Sequence, residues 1–186
     1  MGAHGLSYSD VRVFDSAYGN WPKGAAYILA YCDSWGGRYK GRHYATNVEL
    51  AKAKFPKARI IQIAVMPPAT GVVVAGYDVE NGALTVDEAC GIVNHDVVRL
   101  GRRPFIYCAQ STVDYVQWTM QRDYRQVVGR YDLWLADPDG DPAIPPGFIA
   151  KQYSWPDQHP ILPGQTYDIS SLRSDAACLH VGDAAV

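Results

Sequence analysis

An apolar run passes directly into two carboxylates and a turn in the segment Val72-Val73-Val74-Ala75-Gly76-Tyr77-Asp78-Val79-Glu80-Asn81-Gly82. An apolar run bounded by a turn predicts a buried strand, and side chains alternate between the two faces of a strand. Asp78 and Glu80 are therefore expected on one face, and Tyr77 and Val79 on the other. Carboxylates at the carboxyl end of a buried strand lie where α/β proteins place their active sites.

Paired carboxylates are suited to hydrolysing a glycosidic bond, because one carboxyl can stay protonated while its neighbour stays charged. The alternative interpretation is that Asp78 and Glu80 only end a strand and begin a solvated loop, since the tripeptide Asp-x-Glu is common. The rest of the chain favours a functional site.

Length and composition indicate one globular domain over residues 1–186. The chain has 186 residues, of which 48% are hydrophobic and 19% charged, which is enough for a complete core. The charge is nearly balanced, with 17 basic and 19 acidic residues, and the basic residues form no stripe. We therefore expect no nucleic-acid partner. The 13 Tyr and five Trp suit packing against sugar rings, but also a core or a protein interface.

The four cysteines share no Cys-x-x-Cys spacing; they are Cys32, Cys90, Cys108 and Cys178. We therefore expect free, buried thiols rather than a disulfide framework. The start of the chain has no cationic region followed by an apolar stretch, and no apolar run approaches the ~20 residues of a membrane helix. The sequence thus predicts neither a secretory signal nor a transmembrane segment, and no membrane partner.

Short apolar runs alternate with helical or turn segments along the chain. The predicted strands are residues 11–15, 27–32, 59–65, 72–80, 104–108, 132–137, 148–153 and 166–170. Strands that alternate with helices predict parallel βα units, and eight of them in order predict a closed barrel. A complete barrel of this kind takes ~250 residues. The expected fold is therefore α/β, a compact, irregular TIM-type (β/α)8 barrel with several helices reduced or missing.

Capping boxes predict the starts of two helices. They are Thr46-Asn47-Val48-Glu49 and Thr85-Val86-Asp87-Glu88, with helix ends at Pro56 and Gly101. Ser111 is expected to open a third helix. The predicted buried stripe of the second helix is Ala89, Ile92, Val93, Val97 and Leu100, and that of the third is Val113, Val116 and Met120.

No metal or cofactor is predicted. Asp137-Pro138-Asp139-Gly140-Asp141 resembles the start of a calcium loop, but the sixth position is not glycine and Phe148 occupies the twelfth, where a bidentate acid is needed. The histidines are scattered without ligand spacing. Residues 137–147, with four prolines, are expected to form a structured loop after the sixth strand.

Six short motifs stand in the same order as in lysozymes of glycoside hydrolase family 25. They are Phe14-Asp15-Ser16, Asp78-Val79-Glu80, Phe105-Ile106-Tyr107-Cys108, Leu133-Trp134-Leu135-Ala136, Ala150-Lys151-Gln152-Tyr153 and Tyr167-Asp168-Ile169-Ser170. The run Arg59-Ile60-Ile61-Gln62-Ile63-Ala64-Val65 is more similar to the compact DUF1906-type, glycoside-hydrolase-like proteins of actinobacteria and their phages. The resemblance covers about residues 11–172.

The resemblance implies a short β/α barrel that cleaves the β-1,4 bond following N-acetylmuramic acid in peptidoglycan. Glu80 then matches the general acid, and Asp78 the carboxylate that assists the substrate's acetamido group. Asp15 and Asp168, at the ends of the first and last strands, match the acids that ring the site and adjust its protonation. The residues implied to hold the sugar are Trp134, Gln152 and Tyr153. All four carboxylates are expected to line one cleft, with Trp134 and Tyr153 on its walls and the loop 137–147 outside it.

Two segments depart from the family 25 pattern. The second predicted strand runs into Cys32-Asp33-Ser34-Trp35-Gly36-Gly37, and the third ends in Met66-Pro67-Pro68, where an aromatic and histidine pair is usual. An alternative function therefore stays open: a catalytically silent barrel that binds a wall glycan or forms part of a phage particle. Either function predicts a polysaccharide or virion partner, and a cytoplasmic or phage-associated protein that reaches the cell wall by another route.

Overall fold

Eight strands close into a barrel in which each strand pairs with its neighbours in chain order. The computed structural model describes residues 10–16, 20–31, 44–68, 72–80 and 83–180, with the side chains of 44–46 and 180 left out. The strands are β1 (Val11–Asp15), β2 (Tyr27–Tyr31), β3 (Arg59–Ala64), β4 (Gly76–Val79), β5 (Phe105–Ala109), β6 (Asp132–Ala136), β7 (Ala150–Ser154) and β8 (Asp168–Leu172). The α-helices are α1 (Tyr44–Lys54), α2 (Val86–Leu100) and α3 (Gln110–Asp123), and short 3₁₀ turns occupy Arg125–Val127 and Ala177–His180.

The barrel is not uniformly parallel. Strands β1 to β7 pair in parallel, whereas β8 runs antiparallel to both β7 and β1. Helices follow β2, β4 and β5 in the described part of the chain, so their arrangement is not that of a complete (β/α)8 barrel. The predicted closed barrel of eight strands is confirmed, but parallel pairing throughout is wrong. An antiparallel neighbour needs no crossover helix, which fits the helix-free connection from β7 to β8.

Large side chains fill the barrel interior. Inward positions of the strands form one buried cluster that includes Leu29, Ile63, Phe105, Tyr107 and Trp134. The Phe105 and Trp134 rings pack at 5.1 Å between centroids, tilted by 41°. The interior is therefore a packed core beneath the rim rather than a pore.

The helices cover the outside of the barrel. Tyr77 and Val79 on β4 belong to an outer cluster with α2 and α3, which confirms the predicted alternation of this strand. A second outer cluster joins α1, through Val48 and Ala51, to Ile28 on β2. The predicted stripe of α3 is buried, as are Ala89, Val93 and Val97 of the stripe on α2.

The second capping box is confirmed and the first is wrong. The Thr85 side chain accepts a hydrogen bond from the Glu88 backbone N–H, the Glu88 carboxylate accepts one from the Thr85 N–H, and α2 ends at Gly101 with φ 65°. Helix α1 instead begins at Tyr44, so Thr46 lies inside it. Asn47 joins this helix to the barrel, because its Oδ1 accepts from the Tyr31 N–H at 3.0 Å and its Nδ2 donates to the Ser16 carbonyl at 3.0 Å.

Three smaller expectations are also corrected. Strand β4 begins at Gly76 rather than at residue 72, and Val72 and Val73 are 39% and 50% exposed. Leu100 is exposed because it lies at the end of α2, beyond the part that packs on the barrel. Ser111 is the second residue of α3, whose N-cap is Ala109.

The described cysteines are buried, free thiols, as expected. They are Cys90, Cys108 and Cys178, whose pKa values burial raises to about 12, while Cys32 lies outside the described residues. A thiol with so high a pKa is almost entirely protonated at neutral pH and so a poor nucleophile. Within the described ranges, no helix is long and apolar enough to cross a bilayer.

Two glycines offer a matched test of the interior packing. A Cβ added to Gly76 would lie 2.4 Å from the Phe105 ring, whereas one added to Gly91 on α2 would lie 3.4 Å from the Tyr124 hydroxyl. We expect Gly76→Ala to lower the free energy of unfolding by about 1–3 kcal/mol, because the ring must move in a packed core. Gly91→Ala should be neutral or stabilising by up to about 1 kcal/mol, since alanine favours a helix.

Urea unfolding of both variants measures this difference. Equal midpoints for Gly76→Ala and the unchanged protein would show that the interior around Phe105 is loosely packed.

Candidate active site

Four carboxylates meet at one rim of the barrel. Asp15 ends β1, and its Cα partner is Asp168, the first residue of β8. Because β8 is antiparallel, its start lies at the rim where the parallel strands end. Asp78 lies in β4 and Glu80 directly follows it, so both reach the same rim. The sequence placed Asp168 at the end of its strand, and the structure corrects this to the beginning.

The Tyr107 hydroxyl lies among these carboxylates. Tyr107 points inward from β5, and its buried side chain packs against Trp134 with ring centroids 6.4 Å apart. Burial raises the pKa of Tyr107 well above its ordinary value, and the charges of Glu80, Asp78, Asp15 and Asp168 raise it further. All four acids therefore lie close enough to Tyr107 to act on the pKa of its hydroxyl. They are the four carboxylates that the sequence predicted for the site.

Asp15 is the most deeply enclosed of the four acids. It is 3% exposed, and its Oδ2 accepts a hydrogen bond from the Tyr31 hydroxyl at 2.9 Å. Its Oδ1 is buried and has no hydrogen-bond partner among the described residues. Burial raises the pKa of Asp15 well above its usual value, the neighbouring Asp168 raises it further, and the hydrogen bond from Tyr31 opposes the rise. These conditions favour the neutral carboxyl.

Asp168 is half-buried, and the charge of a neighbouring acid acts on it as well. Burial and then the charge of Glu80 raise the pKa of Asp168 to about 7, and a hydrogen bond from the Gln152 side chain opposes the rise. A carboxyl with this pKa exchanges its proton near neutral pH, so the charge of the rim changes within the physiological range.

Glu80 is half-buried, like Asp168, and it borders a cleft. It lines a cleft of about 580 Å³ between the β4 and β5 ends of the barrel, which we call the Glu80 cleft. The other lining residues include Val79, Leu84, Thr85, Ala109, Thr112 and Trp155. Burial raises the pKa of Glu80, and a hydrogen bond from Tyr107 opposes the rise. A half-buried carboxyl with a raised pKa at the edge of a cleft is equipped to donate a proton.

The expectation that all four acids line one cleft stays a prediction, and one cleft at the rim can be described. In the described part of the chain, Glu80 alone of the four lines the Glu80 cleft. Asp15 and Asp78 are 3% and 4% exposed and lie beneath the rim. The strand ends do converge as predicted, with Asp15 and Asp78 buried and with Glu80 and Asp168 half-buried.

The predicted sugar-holding residues also lie deeper than expected. Trp134 is 0% exposed, and its Nε1 donates to the Ser170 hydroxyl at 3.3 Å inside the barrel. Tyr153 is buried where the register of β7 against β8 shifts. A side chain with almost no exposed surface cannot stack on a sugar ring, so neither aromatic residue forms a wall of the Glu80 cleft.

Gln152 is buried and connects the rim to the cleft. Its Oε1 accepts hydrogen bonds from the Tyr107 hydroxyl and from Nε1 of Trp155, and its side chain also bonds Asp168. Trp155 lines the Glu80 cleft, and the sequence analysis missed it. It stands two residues beyond the predicted seventh strand. Its aromatic type beside Gln152 and Tyr153 was the signal that could have identified it.

The residues that line the Glu80 cleft do not include the proline-rich loop 137–147. The Lys151 ammonium, on the outer face of β7, bonds both Asp139 carboxylate oxygens at 2.8 and 2.7 Å and lies 3.5 Å from Asp137. Two acids that resembled the start of a calcium loop therefore pair with a lysine. Over the ranges that the structure describes, no group of three His, Cys, Asp or Glu side chains is arranged to hold a metal ion.

Comparisons with protein-family models, with curated proteins and with solved structures found no match to this chain. The resemblance to family 25 and to DUF1906-type proteins therefore stays a prediction from the order of the motifs. The departures at residues 32–37 lie outside the described residues.

The raised pKa of Asp168 predicts how stability depends on pH. The folded carboxyl holds its proton up to a pKa of about 7, whereas an unfolded Asp releases it near ~3.9. The folded state therefore binds more protons in this window, and the free energy of unfolding falls as pH rises through it. Asp168→Asn cannot ionise, so it should be more stable than the unchanged protein by about 1–3 kcal/mol at pH 8, with little difference at pH 4.

Urea unfolding at the two pH values measures this effect. Asp114→Asn, on an exposed position of α3, is the matched control and should show no such gain. A gain of equal size at both pH values would argue that the charge of Asp168 is not the cause.

Proposed function

We propose that this protein is a glycoside hydrolase acting on peptidoglycan or a related amino-sugar polymer, with Glu80 as the general acid. The observation that carries the proposal is the position of Glu80: it lines the Glu80 cleft, while the buried Asp15 and Asp78 and the half-buried Asp168 lie near the same Tyr107 hydroxyl. A lysozyme-like bond cleavage needs one protonated carboxyl that reaches the leaving oxygen. Burial raises the pKa of Glu80, which supports that protonation state.

In the proposed reaction the Glu80 proton goes to the glycosidic oxygen as its bond to the anomeric carbon breaks. The substrate's own acetamido oxygen attacks that carbon, and water later opens the resulting ring. Asp78, which is almost fully buried, is assigned an electrostatic role: its carboxyl oxygens would stabilise the positive charge that develops on the acetamido group. Asp15 and Asp168 would adjust the protonation of the pair.

The barrel architecture supports the same site. Active sites of (β/α)8 barrels lie at the carboxyl ends of the parallel strands, and the Glu80 cleft lies at that end. We propose that this barrel is a reduced TIM-type barrel in which β8 is reversed. Trp155, half-buried at the cleft and held by Gln152, is the aromatic residue among the described lining residues of the cleft, where it could contact a sugar ring.

A second candidate function is a catalytically silent barrel that binds a wall glycan or forms part of a phage particle. It is favoured by the burial of Trp134 and Tyr153, which leaves fewer aromatic contacts for a long polymer than the sequence analysis expected. Such a protein would retain the cleft and Trp155 without turnover.

Release of reducing ends from actinobacterial cell walls distinguishes the two functions. Glu80→Gln removes the donated proton while keeping the side-chain shape, so the rate should fall by about 100-fold or more. Glu49→Gln, the same change on an exposed position of α1, should retain full activity. A folded, unchanged protein that binds walls but releases no reducing ends would support the silent barrel.

The pH profile of the same assay tests the identity of the acid. Because Glu80 must be protonated, the rate should fall as pH rises through its pKa, which burial places above the ordinary value. The optimum is therefore expected on the acidic side of neutrality. A rate that increases into the alkaline range would contradict the assignment of Glu80.

A further inference from the structure

A second cavity, which we call the α3 pocket, lies on the outside of the barrel. It has a volume of about 480 Å³ and, among the described residues, shares no lining residue with the Glu80 cleft. Its lining residues are Asp114, Gln117, Trp118, Gln121, Val128 and Tyr131. The connection from β6 to β7, which the structure describes in full, contains no helix. A complete barrel would carry a helix there, beside α3.

Trp118 gives the α3 pocket an aromatic side chain that is already held in place. Its side chain is half exposed, which is unusual for so large an apolar group. The Tyr115 ring stacks on the indole with centroids 5.8 Å apart, and the Arg122 guanidinium lies 4.0 Å from the indole centroid. Neither Tyr115 nor Arg122 lines the pocket. Because its neighbours fix the indole, a ligand that packs on it loses little side-chain entropy.

The polar groups of the α3 pocket suit a neutral ligand with many hydroxyl groups. The Gln117 and Gln121 amides both donate and accept hydrogen bonds, and the Asp114 carboxylate accepts them. Burial raises the pKa of Tyr131 to about 12, so its hydroxyl keeps its proton at neutral pH. None of the six lining residues is basic, and one is an acid, which disfavours a phosphate or another anion.

We propose that the α3 pocket is a second carbohydrate-binding site, in which a pyranose ring packs on Trp118 and its hydroxyl groups bond the surrounding amides and carboxylate. A sugar ring presents apolar C–H groups on its faces and hydroxyl groups around its edge. An aromatic side chain with a few polar groups beside it matches both parts. The choice of an amino sugar rests on the proposed function, whereas binding in this pocket needs no catalysis.

Helix α3 connects the pocket to the Glu80 cleft. Ser111 and Thr112, in its first turn, line that cleft. Ser111, Asp114, Trp118 and Gln121 recur at the spacing of one helix face. Ser111 and Trp118 are about 10 Å apart along the helix, a length that a few sugar units span. This continuity favours one polysaccharide chain along α3 over an unrelated protein partner.

The measurement is a ¹H–¹⁵N NMR titration with triacetylchitotriose, a neutral β-1,4-linked amino-sugar trimer. Glu80→Gln protein is used, so that the proposed hydrolysis is blocked. The chain has five tryptophans, and Trp118→Phe and Trp155→Phe assign the two indole N–H signals that matter. We expect the Trp118 indole and the Gln121 side-chain amide to shift with one saturable midpoint. The Trp155 signal reports on the Glu80 cleft separately.

Two substitutions test the contacts within the α3 pocket. Trp118→Ala should weaken binding about tenfold, measured from the Gln121 amide, because it removes the aromatic surface. Gln121→Leu keeps the bulk but removes hydrogen bonds, so the Trp118 midpoint should rise severalfold. Both positions are exposed, so the variants should fold. Leu100→Ala, which shortens an exposed apolar side chain at the end of α2, is the matched control and should leave the midpoints unchanged.

Three results would overturn the inference: a Trp118 signal that the trimer does not move, an unchanged Gln121 midpoint in Trp118→Ala, or a Trp118 signal that moves on dilution without sugar. The last would show that a second copy of the chain occupies the pocket. A shift of Trp155 alone would support the Glu80 cleft and reject the α3 pocket. A saturable Trp118 shift in a protein that releases no reducing ends would retain the pocket and count against the proposed function.

Discussion

The antiparallel pairing of β8 with β1 is the constraint on which the site depends. It sets Asp15 opposite Asp168 at the rim where the parallel strands end. Burial is the first cause that raises the pKa of each of these carboxyls, and a neighbouring acid adds to the rise, Asp168 for Asp15 and Glu80 for Asp168. A parallel β8 would place its first residue at the other rim. The cluster of acids therefore exists because the barrel departs from uniform parallel pairing.

Core packing and electrostatics are two aspects of one arrangement. Phe105, Trp134 and Tyr107 fill the interior up to the level of the acids, and Gly76 leaves the space that the Phe105 ring occupies. A filled interior holds no water to solvate a charge. Burial is accordingly the first cause of every raised pKa at the rim, ahead of the repulsion between neighbouring acids. Loosening the packing of Phe105 and Trp134 would therefore change the pKa values of the acids at the rim.

Local patterns in the sequence predicted the strands and the inward face of β4, because alternation is a property of the strand itself. The direction of β8 depends on how the connection from β7 returns, which no local pattern encodes. The sequence also does not predict how far below the rim a side chain lies. Alternation places Trp134 inside the barrel, but the neighbouring strands decide whether its ring lies at the rim or below it. Trp155 was missed because its position depends on a hydrogen bond to Gln152, three residues earlier.

The buried acids outside the barrel and those at its inner rim differ in their partners. On the outer face, Asp96 of α2 is buried, yet it accepts from the Tyr77 hydroxyl at 2.7 Å and pairs with the Arg102 guanidinium at 3.1 Å. On the inner face, Asp15 and Asp168 adjoin each other and receive bonds only from neutral groups, with no cation among the causes that set their pKa values. A cation beside a carboxylate fixes its charge, whereas acids placed beside one another retain protons. The fold thus neutralises the charge on the face that stabilises it and leaves the other face able to hold and release a proton.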